Sequence, residues 1–391
     1  SPILQSQFID AAPPYPQAHA STIVELPDGQ LAAALRARPE DPRAVQFAAP
    51  AQHLGEVLQQ SYGITPTAVV PRPVGADANA SVYRVDARHG QWWLKCRTYQ
   101  VAPAVWDSLH WMRGTLGIDE IVAPWPALTG GASVQRWGLQ FTLFPYVEGQ
   151  SGFEAALSRT QWKRLGEVLR RLHGAQLPAE LQQALPIVRL ETAALETVGQ
   201  WLAGEGLAAA KDGLGRAFVS VWDQQHARIA ALHAQARELL AALQDAPVDL
   251  HLCHTDLHAG NLLMGNDGGL HLIDWDGLSL APRERDLMFI GAAVGGRWGR
   301  ENPLGFEEGY GSDRGDPRWI AWYRHWRILQ DLIEFQQVLL GSDGEDRSPQ
   351  LRRQSLHYLG EQFAPGNVFD AAERVYRALD QVPGRCQDLP R

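Results

Sequence analysis

The chain has 391 residues, 45% hydrophobic and 20% charged, an ordinary globular composition with length enough for two or three domains or one large two-lobed unit. A formal net charge of −9 leaves no basic footprint for nucleic acid or an anionic membrane, and no apolar run is long enough to cross a bilayer. Three scattered cysteines (Cys96, Cys253 and Cys386) argue against a disulfide framework or a zinc site. The start carries no signal-peptide pattern, so a cytoplasmic setting is expected.

Residues 1–48 are rich in Ala, Pro and Gln and are interrupted by Pro13, Pro14 and Pro16. Within them, Tyr15 to Gln30 reads as a turn, a short strand and a Pro27-Asp28-Gly29 turn. This stretch resembles the opening of sialidase-type propeller domains, but no later segment repeats at a blade-length period. A leader without catalytic role is expected. Leu54, Val57 and Leu58 then recur at helical spacing over 51–62, with Gly63 as a stop. Strand-like runs follow at 67–70, 81–85 and 92–96, the last two joined through His89-Gly90. A helix over 102–116 and strands near 121–123 and 139–144 complete a small β-rich lobe over 49–148. From Gly149 the pattern turns helical, with amphipathic stretches at 161–173, 191–202, 219–243 and 317–340, giving a large α-rich lobe over 149–391. The expected fold class is α+β, a two-lobed protein with a small N-lobe, a hinge and a large C-lobe. Most of the fourteen tryptophans read as core.

The densest chemistry lies in His254-Thr255-Asp256-Leu257-His258-Ala259-Gly260-Asn261, followed by a Gly268-Gly269 turn and Ile273-Asp274. Asp256 and Asn261 are five apart, as in the D-x-x-x-x-N half of a kinase catalytic loop. A hairpin turned at Gly268 returns Asp274 beside Asn261, so a carboxylate and an amide oxygen can face hard metal ions. Asp256 then stands where it can orient an acceptor hydroxyl and take its proton. His254 reads as a residue that holds the loop. His258 either approaches the transferred phosphate or scaffolds the loop, and Asp276 is either a second acid near the metals or a turn residue.

The run resembles that of the aminoglycoside phosphotransferase and choline kinase-like superfamily, whose fold is that of the protein kinases and whose members carry H-x-D-x-x-x-x-N followed by I-D-[WF]. The resemblance implies ATP or GTP as phosphate donor, two Mg²⁺ ions, Asp256 as base, and Asn261 and Asp274 as metal ligands.

A kinase also needs a phosphate clamp. Val74 to Tyr83 joins two strands through small residues, and Gly75, Asn79 and Ser81 are its candidate phosphate contacts. Lys95, fourteen residues after Ser81, falls on the next hairpin, where a kinase places its phosphate-binding lysine. Asp107 is the expected acidic partner of Lys95, with Glu120 as the alternative. Leu143 to Gly149 reads as the hinge, with Tyr146 and Val147 presenting backbone groups to an adenine edge. Downstream, Pro282 opens a helix on which Asp286 is expected to support the catalytic loop.

Within the superfamily the chain is most similar to the spectinomycin phosphotransferases. The resemblance rests on Gly75-Ala76-Asp77-Ala78-Asn79-Ala80, on Gln150-Ser151-Gly152-Phe153, on Ile273-Asp274-Trp275-Asp276 and on Ala281-Pro282-Arg283-Glu284-Arg285-Asp286. It covers roughly 51–340 and leaves the first fifty residues outside. It implies a cationic aminocyclitol acceptor, for which Asp276, Glu301, Glu307, Asp331 and Glu334 are candidate acids, with Trp298, Tyr310 and Trp322 as stacking walls. Choline, amino alcohols, sugars and macrolides are alternative acceptors. A nucleotide-binding pseudokinase would have lost Lys95, Asp256, Asn261 or Asp274, and all four are present.

Overall fold

The computed structural model describes residues 24–25, 31–32, 51–72, 79–301, 303–341 and 349–379. The leader expected over 1–48 lies outside the described residues, apart from the antiparallel pair β1 (Val24–Glu25) and β2 (Leu31–Ala32). Gly75 of the small-residue loop lies outside them too. The chain divides into two compact units, one drawn from Ser1–His110, Val122–Tyr146 and Gly344–Leu351, the other from Trp111–Ile121, Val147–Asp343 and Arg352–Arg391.

The first unit opens on helix α1 (Ala51–Tyr62). Its Leu54, Val57 and Leu58 form one apolar stripe and are buried. The stripe belongs to one core with a five-stranded antiparallel sheet. Its strands are β3 (Pro66–Arg72), β4 (Ala80–Ala87), β5 (Gly90–Arg97), β6 (Ser133–Arg136) and β7 (Leu139–Pro145), in the order β3-β4-β5-β7-β6. Tyr62 ties helix to sheet by donating its hydroxyl to the Phe141 carbonyl at 3.1 Å. Alternation along β5 settles where Lys95 points. Leu94 and Cys96 enter the core with α1, so Lys95, one residue out of phase, faces the opposite side with Trp93 and Arg97. That side is not bare. Helix α2 (Pro103–Leu116) brings Trp106 under the buried Arg97 guanidinium at 5.5 Å, and Arg97 donates to the Thr142 hydroxyl at 3.0 Å.

The second unit is mainly helical. Strand β8 (Gly149–Ser151) leads into α3 (Arg159–His173), which begins with a capping box between Ser158 and Gln161. Helices α4 (Ala179–Ala184), α5 (Ala193–Leu202) and α6 (Gly213–Leu243) follow, the last capped by Asp212. Then come strands β9 (His251–Cys253), β10 (Leu262–Gly265), β11 (Leu270–Leu272) and β12 (Ser279–Ala281). They form two small antiparallel sheets, β11-β10-β8 and β12-β9. The chain ends through α7 (Glu284–Leu287), α8 (Phe306–Tyr310), α9 (Pro317–Leu340), α10 (Pro349–Gln362) and α11 (Val368–Leu379). Helix α9 packs against α5, α6, α7 and α11. A β-sheet lobe and a helical lobe are thus present, as the α+β reading expects.

Two local expectations are corrected. No strand forms over 121–123, where Ile121 makes only a single parallel bridge to Leu272. The helix opened by Pro282 is one turn, α7, because the following residues close into successive turns up to Gly291, which has a φ of +92°. No described helix is long and apolar enough to cross a membrane.

Candidate active site

The loop after β9 is short, buried and pinned at every step. The Asp286 carboxylate lies behind it, accepting the amide hydrogens of His254 at 2.9 Å and Thr255 at 2.7 Å. Those bonds hold Thr255 at a φ of +71°, a left-handed conformation rare for a β-branched residue. The Thr255 hydroxyl also donates to the Gly277 carbonyl at 2.8 Å, and a side chain at Gly277 would collide with it. His254, fully buried, accepts from the Asp256 amide on Nδ1 at 3.3 Å and donates from Nε2 to the Ile273 carbonyl at 2.9 Å. These two bonds tie the loop to the strand end at Ile273.

The hairpin brings the chain back. Leu262 pairs with Leu272, and the Ile273 amide donates to the Asn261 carbonyl at 3.0 Å, so Asp274 emerges beside Asn261. Asp274 is exposed and sits at φ +60°, which aspartate tolerates better than most residues. The Asn261 side chain donates through Nδ2 to the Asp256 backbone carbonyl at 2.7 Å. That bond fixes the amide and leaves Oδ1 as the atom presented. An amide oxygen and a carboxylate, with no nitrogen or sulfur ligand between them, suit Mg²⁺ and not zinc.

Asp256 itself is flanked by donors, one of them a cation. Its Oδ1 accepts from Arg327 Nη1 at 3.1 Å, and Oδ2 faces Asn261 Nδ2 at 3.3 Å and His258 Nε2 at 3.6 Å. Burial pushes its carboxyl up, but the Arg327 charge, aided by His258, Arg285 and His254, outweighs this and holds it down to about 2. His258 accepts from the Gly260 amide on Nδ1 at 3.0 Å, so its neutral ring carries the proton on Nε2, towards Asp256. Burial lowers its pKa further. Its ring stacks on Phe153, whose own ring lies so close to Gly260 that no side chain fits there.

The remaining sequence candidates divide. Tyr310 is no acceptor wall: it is buried, stacks on Phe306, and its hydroxyl meets His173 Nδ1 at 2.8 Å. Trp322 is core. Asp331 is taken on both oxygens, by Arg327 Nε at 2.9 Å and by Gln362 Nε2 at 2.7 Å. Glu301 pairs with Arg324 at 2.8 Å. Asp276 is half-buried and Glu307 exposed. These walls and acids rested on residue type and on the acceptor that the resemblance implies, and residue type cannot tell a side chain turned to the core from one turned to a ligand.

In the first unit, Lys95 is half-buried on β5, opposite Val82 and Thr142, and Ser81 is buried on β4. The Asn79 carbonyl accepts from the Thr98 amide at 3.0 Å. The acid assignments for Lys95 are corrected. Asp107 makes no ion pair among the described residues, and Glu120 is bound by Arg164 of α3. At the hinge, the Tyr146 amide already donates to the Gln91 carbonyl at 3.2 Å, and its ring stacks on Trp93 at 5.2 Å. That amide is therefore not open to an adenine edge. Val147 is half-buried.

Two residues escaped the sequence reading, Arg327 and His173, while Phe153 entered it only within Gln150-Ser151-Gly152-Phe153 and without a role. Only Arg327 had a local signal, its i,i+4 spacing from Asp331. His173, Cys253 and Asp286 offer ligand atoms within 4.8 Å of one another, but each is spoken for. Asp286 takes three donors, and burial keeps the Cys253 thiol protonated beside the Ala281 carbonyl.

The profile of a family described as "Phosphotransferase enzyme family" matches residues 70–323. Among solved structures, spectinomycin phosphotransferase APH(9)-Ia in complex with ADP and spectinomycin is 33% identical, with a TM-score of 0.77 over 84% of this chain and 98% of that one. Its AMP-bound complex is 32% identical, with a TM-score of 0.72 over 83% and 99%. A microcompartment-associated aminopropanol kinase, 16% identical over 85% and 98% with a TM-score of 0.51, shares the fold alone. No curated protein sequence matches the chain.

Proposed function

The chain belongs to the phosphotransferase enzyme family, and from that premise we propose that it moves the γ-phosphate of ATP or GTP, with Mg²⁺, to a hydroxyl of a small cationic aminocyclitol antibiotic such as spectinomycin. The observation that carries the reaction is the arrangement of Asp256, Asn261 and Asp274 around one hairpin. The acceptor rests on the likeness to a protein crystallised with ADP and spectinomycin.

Asp256 receives the acceptor hydroxyl. As the hydroxyl oxygen bonds to the γ-phosphorus, the bond to the β–γ bridging oxygen breaks, the nucleoside diphosphate leaves with that electron pair, and the proton passes to Asp256. A carboxylate held near 2 is a weak base, so orientation is its larger contribution in a loose transition state. Asn261 Oδ1 and Asp274 would hold Mg²⁺, which when bound offsets the charge on the phosphate oxygens. Lys95 and Asn79 are assigned to the nucleotide phosphates and Val147 to the adenine; Ser81, paired with Cys96 on the α1 face of the sheet, is left out.

The test is transfer of labelled γ-phosphate, with and without Mg²⁺, to a panel of spectinomycin, aminoglycosides, macrolides, choline and common sugars. Labelling of spectinomycin from ATP or GTP, lost on chelation, is the expected result. Labelling of choline or a sugar in its place would move the acceptor and keep the reaction. Nucleotide binding without any labelled acceptor would remove the antibiotic reading.

A further inference from the structure

Arg327 stands 71 positions from Asp256 in the chain, outside every motif of the catalytic run, yet it makes the firmest contact on the Asp256 carboxylate. Its guanidinium is held from behind. Nη1 donates to Asp256 Oδ1 at 3.1 Å while Nε donates to Asp331 Oδ1 at 2.9 Å, one turn along α9. Asp331 is fixed in turn by Gln362 of α10 through its other oxygen. A line of contacts therefore runs from Gln362 through Asp331 and Arg327 to Asp256. Among the described residues, the other Asp256 oxygen meets only the longer approaches of Asn261 at 3.3 Å and His258 at 3.6 Å. Without Arg327, the shortest contact left on the carboxylate among the described residues is that of Asn261 at 3.3 Å. Removing a guanidinium from water is costly, and two carboxylates on one arginine offset that cost.

We propose that Arg327, braced by Asp331, is a positioning residue for phosphoryl transfer: it locks the Asp256 carboxylate in the plane from which its remaining lone pairs meet the acceptor hydroxyl. Arg327 gives and takes no proton; it keeps Asp256 from rotating as the hydroxyl oxygen approaches the γ-phosphorus. Asp331 is then a brace and not an acceptor contact. The inference rests on Asp256 being the group that receives the acceptor hydroxyl.

The experiment is single-turnover transfer of labelled γ-phosphate by the full chain to the panel acceptor that the wild type labels fastest. Nucleotide affinity is measured in parallel. Arg327→Met should slow transfer about 100-fold with nucleotide affinity within about twofold of wild type. Arg327→Lys should recover about tenfold of that loss, since an ammonium restores charge without the two-edged fork. Asp331→Asn should slow transfer about tenfold, and the double variant Arg327→Met/Asp331→Asn should be no slower than Arg327→Met alone. Should Arg327→Met fail to fold, Arg327→Lys carries the test, with transfer about tenfold below wild type at unchanged nucleotide affinity. Transfer within about threefold of wild type in the folded arginine variants, or losses that add in the double variant, would overturn the proposal. Asp256→Asn separates the two readings. If it transfers normally, the assignment of Asp256 has failed; if it is inactive while Arg327→Met is not, only the positioning role has failed.

Discussion

His173 and Asp286 meet at 3.1 Å, ring nitrogen to carboxylate, in a pair that is almost wholly buried. The pair stands directly behind the loop that carries Asp256. On one side Asp286 takes two consecutive backbone amides, and on the other His173 hands the chain of hydrogen bonds to Tyr310 of α8. Burial raises the carboxyl of Asp286, but the His173 bond and the surrounding donors win and hold it low. The strained Thr255 and the orientation of Asp256 thus depend on a side chain that touches no ligand.

Asp286→Asn should therefore do more than remove a charge. One amide oxygen cannot accept from both backbone amides and from His173, and its NH₂ would face donors. We expect a loss of about 3 kcal/mol in urea unfolding, with slowed transfer in the molecules that remain folded. A loss under about 1 kcal/mol with normal transfer would show that the loop holds itself.

Helices α3 and α8 cross with backbone against backbone at Gly166 and Gly309. A methyl group at Gly309 would overlap the Lys163 carbonyl and lie 2.8 Å from the Glu167 amide nitrogen, and one at Gly166 would lie 2.6 Å from the Tyr310 nitrogen. On an open helix, Gly→Ala stabilises by about 1 kcal/mol; here Gly309→Ala should destabilise by about 2 kcal/mol. The sign of the change in chemical unfolding decides it.

His325 predicts how stability depends on pH. It is buried on α9, with Nδ1 donating to the Ala321 carbonyl at 2.7 Å and Nε2 against the Gln235 side chain at 2.9 Å. Burial lowers its pKa; the Ala321 bond opposes this and the Arg324 charge adds to it, leaving the ring at about 4 against an ordinary 6.5. The unfolded chain binds the proton more readily. Its contribution is full above pH 6.5, falls as pH drops through that interval, and is gone below about pH 4. The expected loss is on the order of 3 kcal/mol between pH 7 and 4. His325→Gln should flatten that part of the urea-midpoint profile; an unchanged slope would contradict the assignment.

What the sequence disclosed follows the range over which its signals act. The catalytic run was legible because Asp256 and Asn261 share the loop that enters one hairpin and Asp274 lies just past its return strand, so local spacing carries their geometry. Helix α1 and strand β5 were legible because burial on one face imposes a period. Strands of three residues such as β8, β9 and β12 are too short to show any period. The Arg327 contact to Asp256 joins helix to loop across 71 positions of chain and leaves no trace in composition. Glu120, the alternative to Asp107 as a partner for Lys95, is close to it in sequence, yet an arginine on α3 takes it. Tyr310 and Trp322 carry the residue types of a binding wall, and only packing shows that one supports the loop and the other fills the core.

The measurement that bears most directly on the site is Asp256→Ala, with transfer rate and nucleotide affinity determined on the same preparation. Transfer should fall by about 1,000-fold or more while nucleotide affinity stays within about threefold, because Asp256 acts on the acceptor and not on the nucleotide. Near-normal transfer by this variant would contradict the account of the loop from His254 to Asp274.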